Sequence, residues 1–141
     1  MRDDLTRLGI ALAPVEQSTT ELHLHSFVDR FLVEPTRVRV RNVIRRQGWR
    51  AAASRGLVLP RLDTQLCVLD ERHSRPDEFP PQYRRAGVYI DDEALGLSMT
   101  LEQASRLSQK RGVVGLYSIE PGRLAVLFNN EWGVWYCCAP D

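Results

Sequence analysis

Apolar and polar residues in the first third of the chain recur with the period of a helix. Apolar side chains spaced three and four positions apart predict an amphipathic helix over residues 19–33: Leu24, Phe27, Val28, Phe31 and Leu32. The run Ser18-Thr19-Thr20-Glu21 has the pattern of a capping box, so we expect the Ser18 hydroxyl to accept a hydrogen bond from a free backbone amide of the first turn. Pro35 disfavours helical geometry at Glu34 but suits the start of a new helix, which predicts a bend and a second helix.

The segment 36–47 allows two interpretations. Arginine and valine alternate over residues 37–41 as they would on a strand, but the alternation stops after residue 41. On a helix, three apolar residues share one stripe with arginines on both flanks: Val40, Val43 and Ile44. We therefore predict a helix that Gly48 closes, followed by a short turn that begins at Trp49.

The second half of the chain has the pattern of short strands. Apolar runs predict strands over residues 57–59, 65–69, 87–90, 113–119, 124–128 and 132–137. Turn residues separate the last three runs, which predicts a C-terminal β-meander. Thr100-Leu101-Glu102-Gln103 is a second capping box, and the helix that it begins is expected to end before Gly112.

These elements predict a single α+β domain over residues 1–141. N-terminal helices precede a mostly antiparallel sheet of about five strands with one inserted helix. A chain of 141 residues can bury about two-thirds of its unfolded surface, which is enough for one core. Residues 70–86 contain four acids, four arginines and three prolines, and are expected to form a long neutral loop that covers a sheet edge or carries a site.

Several features favour a cytoplasmic protein. No apolar run approaches the roughly 20 residues that a membrane-spanning helix needs. The first residues include Asp3 and Asp4 where a signal peptide would be basic. We expect the three cysteines, Cys67, Cys137 and Cys138, to be reduced residues of strands, because an odd number cannot all pair.

Charge is distributed unevenly along the chain. The formal net charge is +1, but residues 35–62 carry eight arginines and no acid. Residues 63–102 carry nine acids and four arginines, which is a local charge of −5. Lysine occurs once, at Lys110, among 19 basic residues, and this arginine bias is typical of a GC-rich bacterial genome. The separation of charge is the strongest functional signal in the sequence.

The arginine-rich segment has two possible roles. The acidic stretch could fold back on it and neutralise it, or the segment could form an exposed surface that binds carboxylates or phosphates. In the second case the candidate binding residues are Arg37, Arg41, Arg45, Arg46, Trp49 and Arg50, with Trp132 as an aromatic anchor. An acidic protein is the first expected partner and nucleic acid the second, since the near-neutral net charge is unlike that of most nucleic-acid-binding domains.

Residues typical of metal and catalytic sites give a weaker signal. His23 and His25 lie two apart, which on a helix separates their directions by about 200°, so no metal or other cofactor is expected. Asp91-Asp92-Glu93 follows a predicted strand and is either a solvated turn or, with His73, the acidic site of a small enzyme. No nucleophile elbow or phosphate loop occurs. The first expectation is a non-catalytic protein-binding module, for example an inhibitor or immunity-type protein.

Overall fold

A computed structural model describes residues 1–32, 34–54, 70–72, 79–93, 96–129 and 134–138. Its α-helices are α1 (Arg2–Leu8), α2 (Gln17–Phe31), α3 (Glu34–Gln47), α4 (Trp49–Ser54) and α5 (Leu101–Arg111). A short 3-10 helix spans Pro81–Tyr83. The first four α-helices precede the strands in the chain and α5 is inserted among them, which confirms the predicted α+β class.

The strands within the described residues form one antiparallel sheet. They are β1 (Asp70–Arg72), β2 (Gly87–Ile90), β3 (Leu97–Met99), β4 (Gly115–Glu120), β5 (Leu124–Asn129) and β6 (Val134–Cys138). Their order across the sheet is β1-β6-β5-β4-β2-β3, so β4, β5 and β6, the last three strands along the chain, form the predicted meander. Within the part of the chain that the structure describes, the sheet has six strands rather than about five. Strand β1 lies at the start of the segment expected to be a loop, and the strands expected over 57–59 and 65–69 lie outside the described residues.

Helix α2 buries the apolar stripe that predicts it. The five residues of the stripe are each no more than 1% exposed, and the rings of Phe27 and Phe31 lie 5.5 Å apart. The expected cap at Ser18 is wrong: the helix begins at Gln17, its N-cap is Glu16, and no side chain caps it. The residues just before the helix pair with a strand, and this pairing sets the start of the helix ahead of Ser18.

Helices cover both faces of the sheet. Successive residues of a strand point to opposite faces, and β2, β4 and β5 are apolar on both. One face packs against α2 and α3 through residues that include Ile90, Leu116 and Leu127. The other packs against α1 and α5 through residues that include Tyr89 and Tyr117. The central strands are therefore buried on both sides, as their continuous apolar runs indicate.

Residues 13–15, which we call the N-terminal strap, pair with the edge strand β3. The amide of Val15 donates to the carbonyl oxygen of Gly96 at 2.9 Å, and the amide of Ser98 donates to that of Ala13 at 2.8 Å. Gly96 is required here, because a Cβ atom would lie 2.0 Å from Oγ1 of Thr20 in α2. The strap, β3 and the start of α2 are thus in close contact.

Helix α5 begins and ends as its sequence predicts. The Thr100 hydroxyl accepts from the amide of Gln103 at 3.2 Å, and the Gln103 side chain accepts from the amide of Thr100 at 3.0 Å. Gly112 ends the helix in the left-handed conformation, with φ at +65°. This C-cap places Arg111, the last residue of the helix, next to the end of β2.

Candidate functional site

The arginines of α3 and α4 lie mostly on the side of these helices that faces solvent. Five of them are exposed, and we call them the arginine face: Arg39, Arg41, Arg45, Arg46 and Arg50. On the opposite side of α3, Val40 is buried in the core, and Val43 and Ile44 pack against the same cluster. The helical interpretation of residues 36–47 is therefore confirmed, with arginines on both flanks of the apolar stripe.

Two other candidate binding residues are placed differently. A guanidinium nitrogen of Arg37 donates to the carbonyl oxygen of Leu32 at 3.2 Å, which ties this half-buried side chain to the end of α2. Only 6% of Trp49 is exposed, because its ring packs into the core cluster that contains α2. This corrects the expectation that Trp49 contributes an aromatic surface: α4 directs the ring inward, so Trp49 is a core residue.

Few carboxylates offset the charge of the arginine face. Arg41 pairs with Asp29 of α2, with 2.7 Å between the guanidinium nitrogen and the carboxylate oxygen, and both side chains are about half exposed. Arg45 donates to the neutral side chain of Asn42 at 3.0 Å. The guanidinium carbon of Arg50 lies 5.8 Å from the centre of the Trp49 ring. Among the described residues, the Asp29–Arg41 contact is the single ion pair of this face.

The surface of α3 also carries groups that are not basic. The exposed arginines of α3 form two rows, Arg41 with Arg45 and Arg39 with Arg46, and Val38 lies between these rows and is 48% exposed. Glu34, in the first turn of the helix, is exposed as well. The arginine face therefore adjoins an apolar side chain and, towards the N-terminus of α3, the carboxylates of Glu34 and Asp29.

A second charged cluster surrounds Arg111. Its guanidinium nitrogens lie near carboxylate oxygens of four residues: Asp91 at 2.7 Å, Glu93 at 2.7 Å, Asp4 at 3.3 Å and Asp92 at 3.4 Å. Asp91 is fully buried, and it also accepts hydrogen bonds from the amide of Glu93 and the hydroxyl of Tyr89. The run Asp91-Asp92-Glu93 is therefore not a simple solvated turn, since it joins the end of β2 to the end of α5.

Burial and charge act in opposite directions within the Arg111 cluster. Burial raises the pKa of Asp91 above its ordinary value, and the Glu93 amide and Arg111 oppose this shift. Burial lowers the pKa of Arg111, but attraction to Asp91 and Glu93 outweighs it, so the pKa rises above its ordinary value. Burial and the charge of Asp91 both raise the pKa of Tyr89. Arg111 therefore remains a cation held inside the fold by its carboxylates.

His23 makes a buried polar contact between α2 and the sheet. Its Nδ1 atom lies 2.6 Å from Oγ of Ser118 in β4, and burial lowers its pKa. His25 is only partly buried. No group of three or more histidine, cysteine or acidic side chains in the described ranges could hold a metal ion. The His23–Ser118 pair is closed to solvent, with 7% and 1% of these residues exposed, and it joins two elements of the core.

Two candidate site residues of the sequence have no described position. Trp132 and His73 lie outside the described residues, so the role of Trp132 as an aromatic anchor stays a prediction. The Arg111 cluster is the arrangement that sequence reasoning misses. Its signal is an acidic run directly after a buried strand, combined with an arginine at the end of the next helix.

Comparison of the chain with models of protein families, with curated proteins and with solved structures finds no match. Within the described residues, none of the helices combines the length and the apolar character that crossing a membrane requires. The features of this fold that bear on function are therefore its two charged regions and its cavities.

Proposed function

We propose that this chain is a protein-binding module, without catalytic activity of its own, that recognises an acidic partner protein through the arginine face. One observation carries the proposal: Arg39, Arg45 and Arg46 are exposed and have no carboxylate partner among the described residues. The acids at 91–93, which belong to the acidic stretch of the sequence, pair with Arg111 instead. An inhibitor or immunity-type protein of the bacterial cytoplasm, bound over the acidic site of a toxin enzyme, is its concrete form.

Guanidinium groups suit such a role physically. Each offers a planar set of donors that matches the two oxygens of a carboxylate. A cluster of one sign also attracts a partner of the other sign over a distance of about 10 Å at moderate salt, which raises the association rate. Association through the arginine face should therefore be fast at low salt and slow at high salt, with a smaller change in the dissociation rate.

The chemistry beside the arginines favours a protein partner over nucleic acid. Asp29 and Glu34 are exposed next to the face, where a protein partner can offer them cationic side chains and nucleic acid offers only phosphates. Val38, 48% exposed between the arginine rows, can pack against an apolar side chain at the centre of a protein interface. The net charge of +1 also provides little of the general attraction on which nucleic-acid binding depends.

The test uses two variants with the same change in net charge. Proteins captured from a bacterial lysate by the wild-type chain are compared with those captured by Arg45→Glu/Arg46→Glu and by the control Arg84→Glu/Arg123→Glu, whose arginines are exposed elsewhere. A partner lost only with the first variant is then purified. We expect the first variant to bind it at least tenfold more weakly and the control to bind it normally. Equal binding by all three proteins would refute the proposal.

Two further measurements address the other classes of function. Fluorescence anisotropy of labelled duplex DNA and single-stranded RNA is followed across a salt series, with Arg41→Ala/Arg45→Ala as control. Nucleic acid would be the partner if the chain binds it at micromolar concentration and the control variant does not. The log–log slope of affinity against salt should then be about −0.9 per phosphate contacted. Turnover of any substrate that Asp92→Asn abolishes would instead make the chain an enzyme.

A further inference from the structure

A pocket of about 330 Å³ opens where the N-terminal strap, β3 and the starts of α2 and α4 meet. Its wall is mostly apolar and includes Leu12, Pro14, Val15, Trp49 and Leu97. The paired strap forms one side, and α4, which follows the turn at Gly48 with φ at +85°, brings Trp49 to the other. Thr20 and Gly96, which approach each other closely, also line the pocket.

The charged side chains that line this pocket are both cations. Arg2 and Arg50 are exposed, and neither has an ion pair among the described residues. Among the residues that the structure describes, no aspartate or glutamate is part of the lining. The Arg50 guanidinium carbon lies 5.8 Å from the centre of the Trp49 ring, so its charge sits beside the apolar wall. The pocket thus combines an apolar interior with guanidinium groups that can bind an anion.

The volume limits the size of the ligand. A space of 330 Å³ corresponds to about eleven waters at roughly 30 Å³ each, and lies at the lower end of the range for small-molecule pockets. A molecule with about a dozen heavy atoms would fill it. An apolar body displaces water from the wall, and a carboxylate receives two parallel hydrogen bonds from a guanidinium.

We propose that this pocket binds a small monocarboxylic acid with an apolar body. The carboxylate is held by Arg50 and Arg2, and the body lies against Trp49 and Leu97. The site does not depend on the proposed acidic partner, because it uses the interior of the fold and only Arg50 of the arginine face. A chain that binds no partner protein could still bind the acid.

The probe is octanoate, and octanamide is the neutral compound of the same length. Isothermal titration calorimetry of the full chain should show one binding site for octanoate, and octanamide should bind at least tenfold more weakly. Arg50→Gln should weaken octanoate binding at least fivefold, whereas Arg123→Gln, which removes the same charge from an exposed position outside the pocket, should leave octanoate binding unchanged. Leu12→Trp fills the mouth of the pocket from a position that is 43% exposed, so it should abolish binding while the chain stays folded.

Three results would overturn the assignment. The first is the absence of saturable octanoate binding to the folded wild-type chain. The second is equal binding by the wild type, Arg50→Gln and Leu12→Trp, with circular dichroism showing all three to be folded. The third is tighter binding of a short peptide that ends in a free leucine carboxylate, which would make the ligand the end of a protein chain rather than a free acid.

Discussion

Arginine side chains occupy two opposite environments in this molecule, one at Arg111 and the other on the arginine face. The Arg111 side chain is 9% exposed and lies within 3.4 Å of four carboxylates, one of them fully buried. The Arg41 side chain is 49% exposed and has one carboxylate partner, and Arg39 and Arg46 have none among the described residues. The number of acids that the fold brings to an arginine therefore decides its role. Arg111 joins elements of the fold, whereas the arginine face stays exposed to solvent.

The largest loss of stability is expected when Arg111 is replaced. Arg111→Gln leaves the buried carboxylate of Asp91 without its counter-charge, and such a loss destabilises a protein by about 3–5 kcal/mol. Urea denaturation at pH 7 measures the free energy of unfolding. Lys110→Gln removes a charge from the neighbouring exposed position, and we expect it to change stability by less than about 0.5 kcal/mol. Similar losses of stability in the two variants would show that Arg111 contributes no more to the fold than an exposed cation does.

His23 lies in a third environment: it is buried, and no charged side chain pairs with it among the described residues. Burial lowers its pKa, so below about 6.5 the unfolded chain binds a proton that folded His23 does not. This contribution to stability is complete above pH 6.5 and is lost as the pH falls from there towards the folded pKa. We expect the free energy of unfolding to fall between pH 7.5 and 5.5, measured by urea denaturation at each pH.

The control compares the slopes of stability against pH. His23→Gln should remove this component, and His25→Gln, at a partly buried position, should keep it. An unchanged slope in His23→Gln would mean that another group is responsible.

The ion pair of the arginine face predicts a smaller effect. Asp29→Asn breaks the contact with Arg41, and a pair with half-exposed side chains contributes about 0.2–1 kcal/mol. Since salt screens exposed charges, the loss seen in thermal unfolding at 20 mM salt should disappear at about 1 M. A loss of stability that persists at high salt would mean that this pair, like the Arg111 cluster, joins elements of the fold and is not screened by salt.

The smallest effect on stability is expected for the unpaired arginines. Arg45→Gln/Arg46→Gln removes two exposed cations from the last turn of α3, where they interact favourably with the helix dipole. The free energy of unfolding should fall by no more than about 0.5 kcal/mol, while affinity for an acidic partner falls at least tenfold. A loss of several kcal/mol would mean that these arginines stabilise the fold.

Local patterns in the sequence predict the elements of this fold well. The stripe from Leu24 to Leu32, the capping box at Thr100 and the stop at Gly112 each depend on residues within a few positions of one another. The Ser18 cap is wrong because pairing of the N-terminal strap with β3, about 80 residues away, sets the start of α2. Strand β3 is too short to show a periodic pattern.

The candidate sites are less predictable for the same physical reason. The rows of arginine on α3 follow from helical geometry, so the sequence indicates them. The partners of Arg111 do not follow from local spacing, because Asp4 lies 107 positions from Arg111 and Asp91 lies 20 positions from it. The burial of Trp49 depends on how α4 packs, and the pocket beside it depends on the strap. These are properties of the tertiary structure.

The N-terminal strap also has a consequence for association between molecules. An edge strand with free amide and carbonyl groups can be extended by a strand from another chain, which is a common start of aggregation. The bonds of residues 13 and 15 to β3 occupy that edge with the molecule's own backbone. A chain shortened to begin after residue 15 would leave β3 unpaired on that side, and copies of it could then join edge to edge.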